Sequence, residues 1–286
     1  MKYFLSLFAA LLIVAGTGPR AFAQVNDSLP QLAAGRLDWG PYRALAPQRF
    51  NQKDYAVYMV RVNKFHEIFE TDPRQQWVDD FHFFDLNGDL MPDAIYSGSS
   101  QYFKGDRSLI MIGDTALQYP ITFDQPGYIQ ALEMADTCLK LTVVQEASGI
   151  DYRVNLRRFR YDHATDTATQ LWGLQYLSTT QIPPNRNPAV PLVLRRPTYL
   201  RTSAEIISEP AIDYDQDGHP DGVGNIIADL QPGLPLLRLW QEIRNGEDWS
   251  FVILLEAPSG KHLFSVPPND KIPQGYAGWL PSKAME

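Results

Sequence analysis

Two short segments of this chain combine closely spaced aspartates with a glycine that favours a turn. The first loop is residues 85–93, Asp-Leu-Asn-Gly-Asp-Leu-Met-Pro-Asp, and the second loop is residues 213–221, Asp-Tyr-Asp-Gln-Asp-Gly-His-Pro-Asp. Both place side-chain oxygens at positions 1, 3, 5 and 9, with a backbone carbonyl available at position 7. Carboxylates held this close repel one another unless a cation lies among them. The spacing predicts two calcium loops, because Ca²⁺ takes about 6–8 oxygen ligands at roughly 2.3–2.6 Å.

The predicted calcium ligands are side-chain oxygens, completed in each loop by the backbone carbonyl at position 7. They are Asp85, Asn87, Asp89, Met91 and Asp93 in the first loop, and Asp213, Asp215, Asp217, His219 and Asp221 in the second. Calcium prefers oxygen to nitrogen, so His219 is expected to bind through its carbonyl and not through its ring. The alternative for both loops is a solvated acidic turn that binds no metal.

The two loops differ where the chain must turn sharply. Gly218 stands at position 6 of the second loop, whereas the first loop has Leu90 there and Gly88 two places earlier. Neither loop has the Glu that closes an EF-hand at position 12, since Tyr96 and Gly224 stand there instead. The sequence therefore does not predict a helix-loop-helix hand.

Apolar and aromatic runs flank the first loop. Residues 81–84 lead into it and residues 94–96 lead out, and both runs have strand composition. Residues 84–95 resemble the repeat unit of integrin-type FG-GAP and VCBS proteins, in which a strand enters and another leaves a calcium loop. Those repeats build propeller blades, but the chain before residue 182 is too short for the about 4–8 blades of a propeller. We expect a single β-rich domain.

Residues 1–23 have the parts of a secretory signal. Lys2 precedes an apolar run from Phe4 to Ala15, and Ala21-Phe22-Ala23 forms a small-x-small cleavage site before Gln24. We expect an exported protein, periplasmic or extracellular, cleaved near Ala23. No later stretch reaches the about 18 apolar residues of a membrane span.

The charge balance limits the partners. The chain has 25 Lys and Arg against 33 Asp and Glu, for a net charge of −8. An acidic chain without a basic stripe argues against nucleic acid or an anionic membrane as partner. Cys138 is the only cysteine, so no intrachain disulfide can form, and it is expected to be a buried small apolar residue.

The composition favours a mostly β protein of two domains. Residues 24–181 form the first, β-rich domain. It opens with an extended leader that lies on the rest of the domain. Strands are predicted from residue 55 onward, including 55–62, 139–144 and a hairpin at 152–172. Residues 182–197 contain five prolines and are predicted to be a linker, because proline favours extended backbone and cannot enter central strands. Residues 198–286 form the second domain.

The second domain resembles bacterial SH3-like domains. The resemblance rests on the order of its segments, which are 198–203, 224–233, 236–240, 248–252 and the closing Gly-Trp run at 277–282. It implies a small β-barrel that binds peptidoglycan or a peptide. The chain departs from the pattern in two places: the second calcium loop is inserted after the first strand, and residues 257–274 lengthen the connection before Gly278-Trp279. Trp249 and Trp279 are predicted either to lie in the core or to form the bottom of a ligand-binding groove, as aromatic residues do in peptide recognition.

No recognised catalytic motif is present, and the expected function is non-catalytic. The sequence predicts an exported calcium-binding protein that recognises a wall or peptide ligand or has a structural role. The alternative is a secreted wall or polysaccharide hydrolase, for which the carboxylate pairs Asp79 with Asp80, and Glu133 with Asp136, are the candidate acids and bases. Two histidines have acidic neighbours, His66 and His82, and both are expected to have a structural or surface role.

Overall fold

The structure is a computed structural model. The residues that it describes are 35–44, 54, 79–100, 105–114, 119–135, 137–146, 153–183, 188–211, 213–214, 220–221, 224–258 and 274–286. The predicted signal at 1–23, the predicted strand at 55–62 and the pair His66 and Glu67 lie outside these residues. Among the described helices, none combines the length and the apolar character needed to cross a membrane.

The described chain is mostly β structure, as predicted. Its helical turns are α1 (Gly40–Arg43) and a 3-10 turn at Ser282–Ala284. The earlier strands are β1 (Phe81–Phe84), β2 (Asp93–Ser100), β3 (Gly105–Met111), β4 (Ile121–Pro126), β5 (Tyr128–Ala135), β6 (Cys138–Glu146), β7 (Arg153–Asp162) and β8 (Thr167–Leu177). The later strands are β9 (Val190–Val193), β10 (Thr198–Arg201), β11 (Asp213–Tyr214), β12 (Pro220–Asp221), β13 (Ile226–Leu230), β14 (Pro235–Arg244), β15 (Glu247–Leu254) and β16 (Gln274–Pro281).

The chain divides into two compact units. The N-terminal unit is Ala34–Gly173, and the described part of the C-terminal unit runs from Leu174 to Glu286. In the N-terminal unit, β1 to β4 are consecutive neighbours in one sheet, and β5 to β7 with the first part of β8 are consecutive neighbours in another. Its core contains side chains from both groups of strands, such as Ile95 and Ile110 from the first and Leu141 from the second. The two layers therefore pack face to face, which is how sheets with one apolar face bury it.

Residues 35–44 lie on the N-terminal unit, as predicted for the leader, but Gly40–Arg43 are helical where an extended segment was predicted. Leu37, Trp39 and Tyr42 pack against the core of the unit. The backbone N–H of Leu37 donates to the carbonyl of Ile129 (3.2 Å), and the Tyr42 hydroxyl donates to the carbonyl of Leu132 (2.6 Å). These bonds satisfy carbonyls of β5, which is the last strand of its group.

Cys138 begins β6 and is buried, as predicted. It pairs in register with Ala135 of β5 on one side and with Asp162 of β7 on the other. The thiol therefore lies within the N-terminal unit, between two neighbouring strands.

The C-terminal unit contains a strand at each segment that the SH3-like resemblance uses. β16, β15, β14 and β9 are consecutive neighbours, and β10 pairs with β13 and, through Arg201 and Trp279, with β16. One face of these strands packs on a core that includes Leu200, Val252 and Tyr276. The strands of the described chain do not close into a barrel, nor do they form a propeller.

Part of the predicted linker is a strand of the C-terminal unit. Residues 190–193 form β9, which pairs with β14 at the end of the sheet. Leu194 N–H donates to Leu234 O (2.9 Å), so the backbone groups of Leu192, two residues earlier, also face β14 in an antiparallel ladder. The backbone groups of Pro191, on the alternate position of the strand, then face away from β14. Proline is compatible with this position because the ladder needs no N–H there.

The outward position of Pro191 protects the edge of the sheet. An incoming strand would need a donor at this position, and proline has none. Among the described strands, β9 has no neighbour on its outer side, and the Val190 and Val193 side chains are exposed. Without the proline, this edge would combine apolar side chains with unpaired backbone groups.

Replacing Pro191 with Val should make the protein self-associate. The substitution restores an outward N–H while keeping an apolar side chain, so two β9 edges can pair. Sedimentation velocity over a range of concentrations should show a rise in mean mass relative to the parent. Pro191→Lys is the matched control, because it restores the same N–H but adds a charge that opposes edge pairing, and it should sediment like the parent. Identical sedimentation of Pro191→Val and parent would contradict a protective role.

Candidate functional site

The first loop connects β1 to β2, as its flanking runs predict. These strands are antiparallel, and the register places Phe84 opposite Asp93. Residues 85–92 therefore form the whole connection of a hairpin. Phe84 and Leu86 are buried in the core of the unit, which anchors the entrance of the loop.

Asp85 closes the turn of the first loop. Its Oδ1 accepts the N–H of Gly88 (2.9 Å), and its Oδ2 accepts the N–H of Leu90 (3.2 Å). Both donors have left-handed backbone, with φ of +79° at Gly88 and +70° at Leu90. The sharp turn usually made by glycine at position 6 is thus made here by an exposed leucine. This conformation costs an L-residue about 1–2 kcal/mol.

Asn87 and Asp89 continue the same pattern. Asn87 Oδ1 accepts the N–H of Asp89 (3.0 Å), and its amide donates to Asp89 Oδ2 (3.1 Å). Asp89 Oδ1 in turn accepts the N–H of Met91 (2.7 Å). Each polar side chain at positions 1, 3 and 5 therefore orders backbone that follows it. Since a carboxylate or amide oxygen has two lone pairs, these oxygens retain acceptor capacity.

Asp93 holds the loop to the rest of the unit and is fully buried. Its Oδ2 accepts the N–H of Leu86 (2.7 Å), and its Oδ1 accepts the N–H of Gly113, just beyond β3 (2.9 Å). A side chain at Gly113 would collide with the carbonyl of Pro92. Burial raises the pKa of Asp93 to about 6, although the hydrogen bonds from Leu86 and Gly113 favour the ionised form. The carboxylate is therefore costly to ionise without a nearby cation.

The structure brings the polar residues of the first loop onto one hairpin connection but does not gather its carboxylates around one point. Within the described ranges, no three Asp, Glu, His or Cys side chains lie close enough to hold a metal ion. The reason is visible in the hydrogen bonds: Asp93 is directed to amides in the interior, while Asp85 and Asp89 are directed to amides of the loop. The other predicted donors are the amide oxygen of Asn87 and the carbonyl oxygen of Met91.

Most of the second loop lies outside the described residues. Of its predicted ligands, Asp215, Asp217 and His219 are not described. The backbone of Asp213 and Asp221, its first and last residues, pairs in register as part of the β11–β12 hairpin. The two ends of the second loop are thus adjacent, as in the first loop.

Trp249 and Trp279 lie in the interior of the C-terminal unit. Each is 1% exposed, and the Trp279 ring packs edge-on against Phe251 with centroids 5.4 Å apart. The Trp279 indole N–H donates to the carbonyl of Gln181. Of the two predicted environments, the structure places both rings in the core, where neither presents a face to solvent.

His82 is buried beneath residues 35–44. Its ring stacks on Trp39 with centroids 3.7 Å apart, and its Nδ1 accepts a hydrogen bond from Arg43 Nε (3.1 Å). Burial and, secondarily, the charge of Arg43 lower the pKa of His82 to about 3. The ring is therefore neutral with its proton on Nε2, and it acts as an acceptor for Arg43.

Asp80, a member of the predicted Asp79–Asp80 pair, has a pKa shifted by its surroundings. Burial raises it to about 6, Arg36 opposes this shift and Asp106 adds to it. The carboxylate lies against Gly98, where a Cβ would collide with it. Arg36 forms two bonds to Asp106 (2.7 and 2.6 Å). The sequence did not indicate this cluster, because its members come from three distant segments.

Glu133 of the second predicted acid pair is engaged by cations. Its carboxylate forms an ion pair with the buried Arg158 (2.5 Å) and lies 4.0 Å from Lys140. Its predicted partner, Asp136, lies outside the described residues. As placed, Glu133 neutralises the charge of Arg158.

Comparison with known proteins gives no relative for this chain: no protein-family model, no curated protein and no solved structure matches it.

Substitution of Leu90 should reveal the strain in the first loop. Leu90→Gly removes the left-handed penalty without losing burial, because the leucine side chain is 63% exposed. Leu90→Val keeps a side chain and adds a β-branch, which this backbone region disfavours most. The glycine variant should be more stable than the valine variant by about 1–2 kcal/mol, measured by urea unfolding in chelator. Equal stability of the two variants would show that residue 90 is not held at positive φ.

Acid should destabilise the protein through His82. In the unfolded chain His82 binds a proton below pH about 6.5, but in the folded protein it stays neutral until about pH 3. Stability contributed by the neutral ring is present above pH 6.5 and falls by about 1.4 kcal/mol per pH unit toward pH 3. The difference in unfolding free energy between parent and His82→Gln, measured by urea unfolding from pH 7 to pH 5, should follow this slope. A pH-independent difference would contradict burial of a neutral ring.

Proposed function

We propose that this is an exported, calcium-stabilised protein that binds a ligand or has a structural role and does not catalyse a reaction. The observation that carries the proposal is the backbone of residues 85–91, which wraps around the oxygens of Asp85, Asn87 and Asp89. Such a wrap concentrates negative charge in a few residues and leaves lone pairs available for a hard cation.

The proposed ligands of the first site are the side-chain oxygens of Asp85, Asn87, Asp89 and Asp93 and the carbonyl of Met91. The donor set consists of oxygens alone, which suits calcium better than zinc or copper. The raised pKa of Asp93 also supports the proposal, because a cation nearby offsets the cost of a buried carboxylate. The second loop has the same spacing and is proposed to hold a second ion.

Calcium would act by ordering the loops. An ion that binds only the folded state stabilises it by RT ln(1 + [Ca]/Kd), or about 2.7 kcal/mol at a hundredfold excess over Kd. Extracellular calcium modules commonly bind at about 10⁻⁴–10⁻³ M. Calcium in the exported environment would thus set how rigid the two hairpin connections are.

The C-terminal unit is proposed to be an SH3-like domain that recognises peptidoglycan or a peptide. The order of β10, β13, β14, β15 and β16 supports this proposal, and the β11–β12 hairpin is an insertion between the first two of these strands. Because Trp249 and Trp279 are buried, recognition would fall to exposed side chains such as Tyr199 and Ile206.

A secreted wall or polysaccharide hydrolase is the second candidate. The raised pKa of Asp80 favours this candidate. Burial raises it beside a second carboxyl, Asp106, and a carboxyl in such a position has the character of a general acid. The ion pair of Asp106 with Arg36, in which one guanidinium nitrogen donates to both carboxylate oxygens, favours the non-catalytic proposal, since it neutralises the partner that such a reaction would need.

Calcium should raise the melting temperature, and each loop should contribute separately. At a hundredfold excess over Kd, one site adds about 2.7 kcal/mol, or roughly 5–10 °C for a chain of this size. Differential scanning calorimetry would compare calcium at a hundredfold excess over Kd, about 10 mM for a Kd of about 10⁻⁴ M, with chelator for the parent, Asp89→Ala and Asp217→Ala. Each variant should lose part of the calcium-dependent shift.

The matched control for these variants is Asp248→Ala. It removes one exposed acid outside both loops, and it should keep the full calcium-dependent shift. If calcium leaves the melting of parent and variants unchanged, both loops are acidic turns and the proposal fails.

A further inference from the structure

The chain contains two Asn-Gly pairs in hairpin connections. Asn87–Gly88 lies in the first loop, and Asn245–Gly246 forms the turn between β14 and β15. In such a pair, the backbone nitrogen of glycine can attack the side-chain amide carbon of the asparagine with no Cβ in the way. Gly88 and Gly246 both have positive φ and open space where a Cβ would lie. The two sites are alike in sequence and differ in their surroundings.

At Asn87–Gly88 the surroundings favour this attack. The nucleophile is the Gly88 nitrogen, and its N–H donates to the Asp85 carboxylate (2.9 Å), which is a base within hydrogen-bond reach of the proton to be removed. The electrophile is the Asn87 amide, and its Oδ1 accepts the N–H of Asp89 (3.0 Å) at the atom where negative charge develops. In the described turn at Asn245–Gly246, no carboxylate accepts the glycine N–H.

We propose that Asn87 is a site of self-catalysed deamidation, with Asp85 as the base. The Gly88 nitrogen forms a bond to Asn87 Cγ as Asp85 takes its proton. The C–N bond of the side-chain amide then breaks, and ammonia leaves after gaining a proton from solvent. The resulting succinimide ring is opened by water at either carbonyl, which gives aspartate or isoaspartate. No oxidant, reductant or cofactor takes part.

The products change the first loop in different ways. Aspartate at position 87 turns Asp-x-Asn-x-Asp into Asp-x-Asp-x-Asp, the pattern that residues 213–217 already have. Isoaspartate adds a carbon to the backbone and breaks the spacing from Asp85 to Asp89. Deamidation therefore yields either a more acidic loop, with aspartate, or a loop with altered spacing, with isoaspartate.

The experiment follows both asparagines in one sample. The purified protein is incubated folded at neutral pH in chelator, so that the result does not depend on the proposed calcium site. Peptide mass spectrometry measures the amide-to-acid conversion over time. Asn87 should convert about tenfold faster than Asn245. This rate ratio is smaller than the ~10²–10⁴-fold acceleration that a general base provides in an enzyme. In concentrated urea the two rates should converge, because the geometry is lost.

Asp85→Asn tests the role of the base. Conversion of Asn87 should slow about tenfold while that of Asn245 stays the same. Circular dichroism verifies that the variant is folded; if it is not, the comparison of folded and urea-treated parent decides alone. Asn87 converting no faster than Asn245 in the folded parent, or a rate ratio unchanged by urea, would overturn the proposal.

Discussion

The buried carboxylate of Asp93 is the constraint on which the first loop depends. It accepts one N–H from the loop, at Leu86, and one from the end of β3, at Gly113, while its own residue begins β2. Hydrogen bonds to a charged group contribute about 1.5–3 kcal/mol each, and they are lost if the acid is removed. The position of the loop relative to the sheet is therefore set from its last residue. The turn ahead of it is shaped in part by local hydrogen bonds, such as those from the Gly88 and Leu90 amides to Asp85.

Local patterns in the sequence predicted much of this hairpin. The aromatic run at 81–84 and the apolar run at 94–96 become β1 and β2, as predicted. The bonds from loop amides to Asp85, Asn87 and Asp89 were not predicted, although such side chains often bond to backbone a few residues away. The role of Gly113 was not predictable in the same way, since it follows from a contact twenty residues distant. The left-handed backbone at Leu90 was also hidden, because leucine does not signal positive φ as glycine does.

Contacts between distant segments explain the remaining differences. The proline content of residues 182–197 predicted a linker, yet β9 forms there because Pro191 occupies a position of the ladder that needs no N–H. The sequence left open whether Trp249 and Trp279 are core or groove residues, and only packing against neighbours such as Phe251 places them inside. His82 is held by Trp39 and Arg43, about forty residues earlier, so its neutral state could not be read from its acidic neighbours in sequence.

The single cysteine gives the molecule an internal reporter of opening. Cys138 is buried between β5 and β7, and the chain has no second thiol. A thiol reagent would therefore modify the protein only when β6 separates from its neighbours, so the labelling rate measures exposure of this part of the N-terminal unit. Opening confined to the C-terminal unit would leave the labelling rate unchanged. The chain thus carries, without any engineered probe, a means of telling the unfolding of one unit from that of the other.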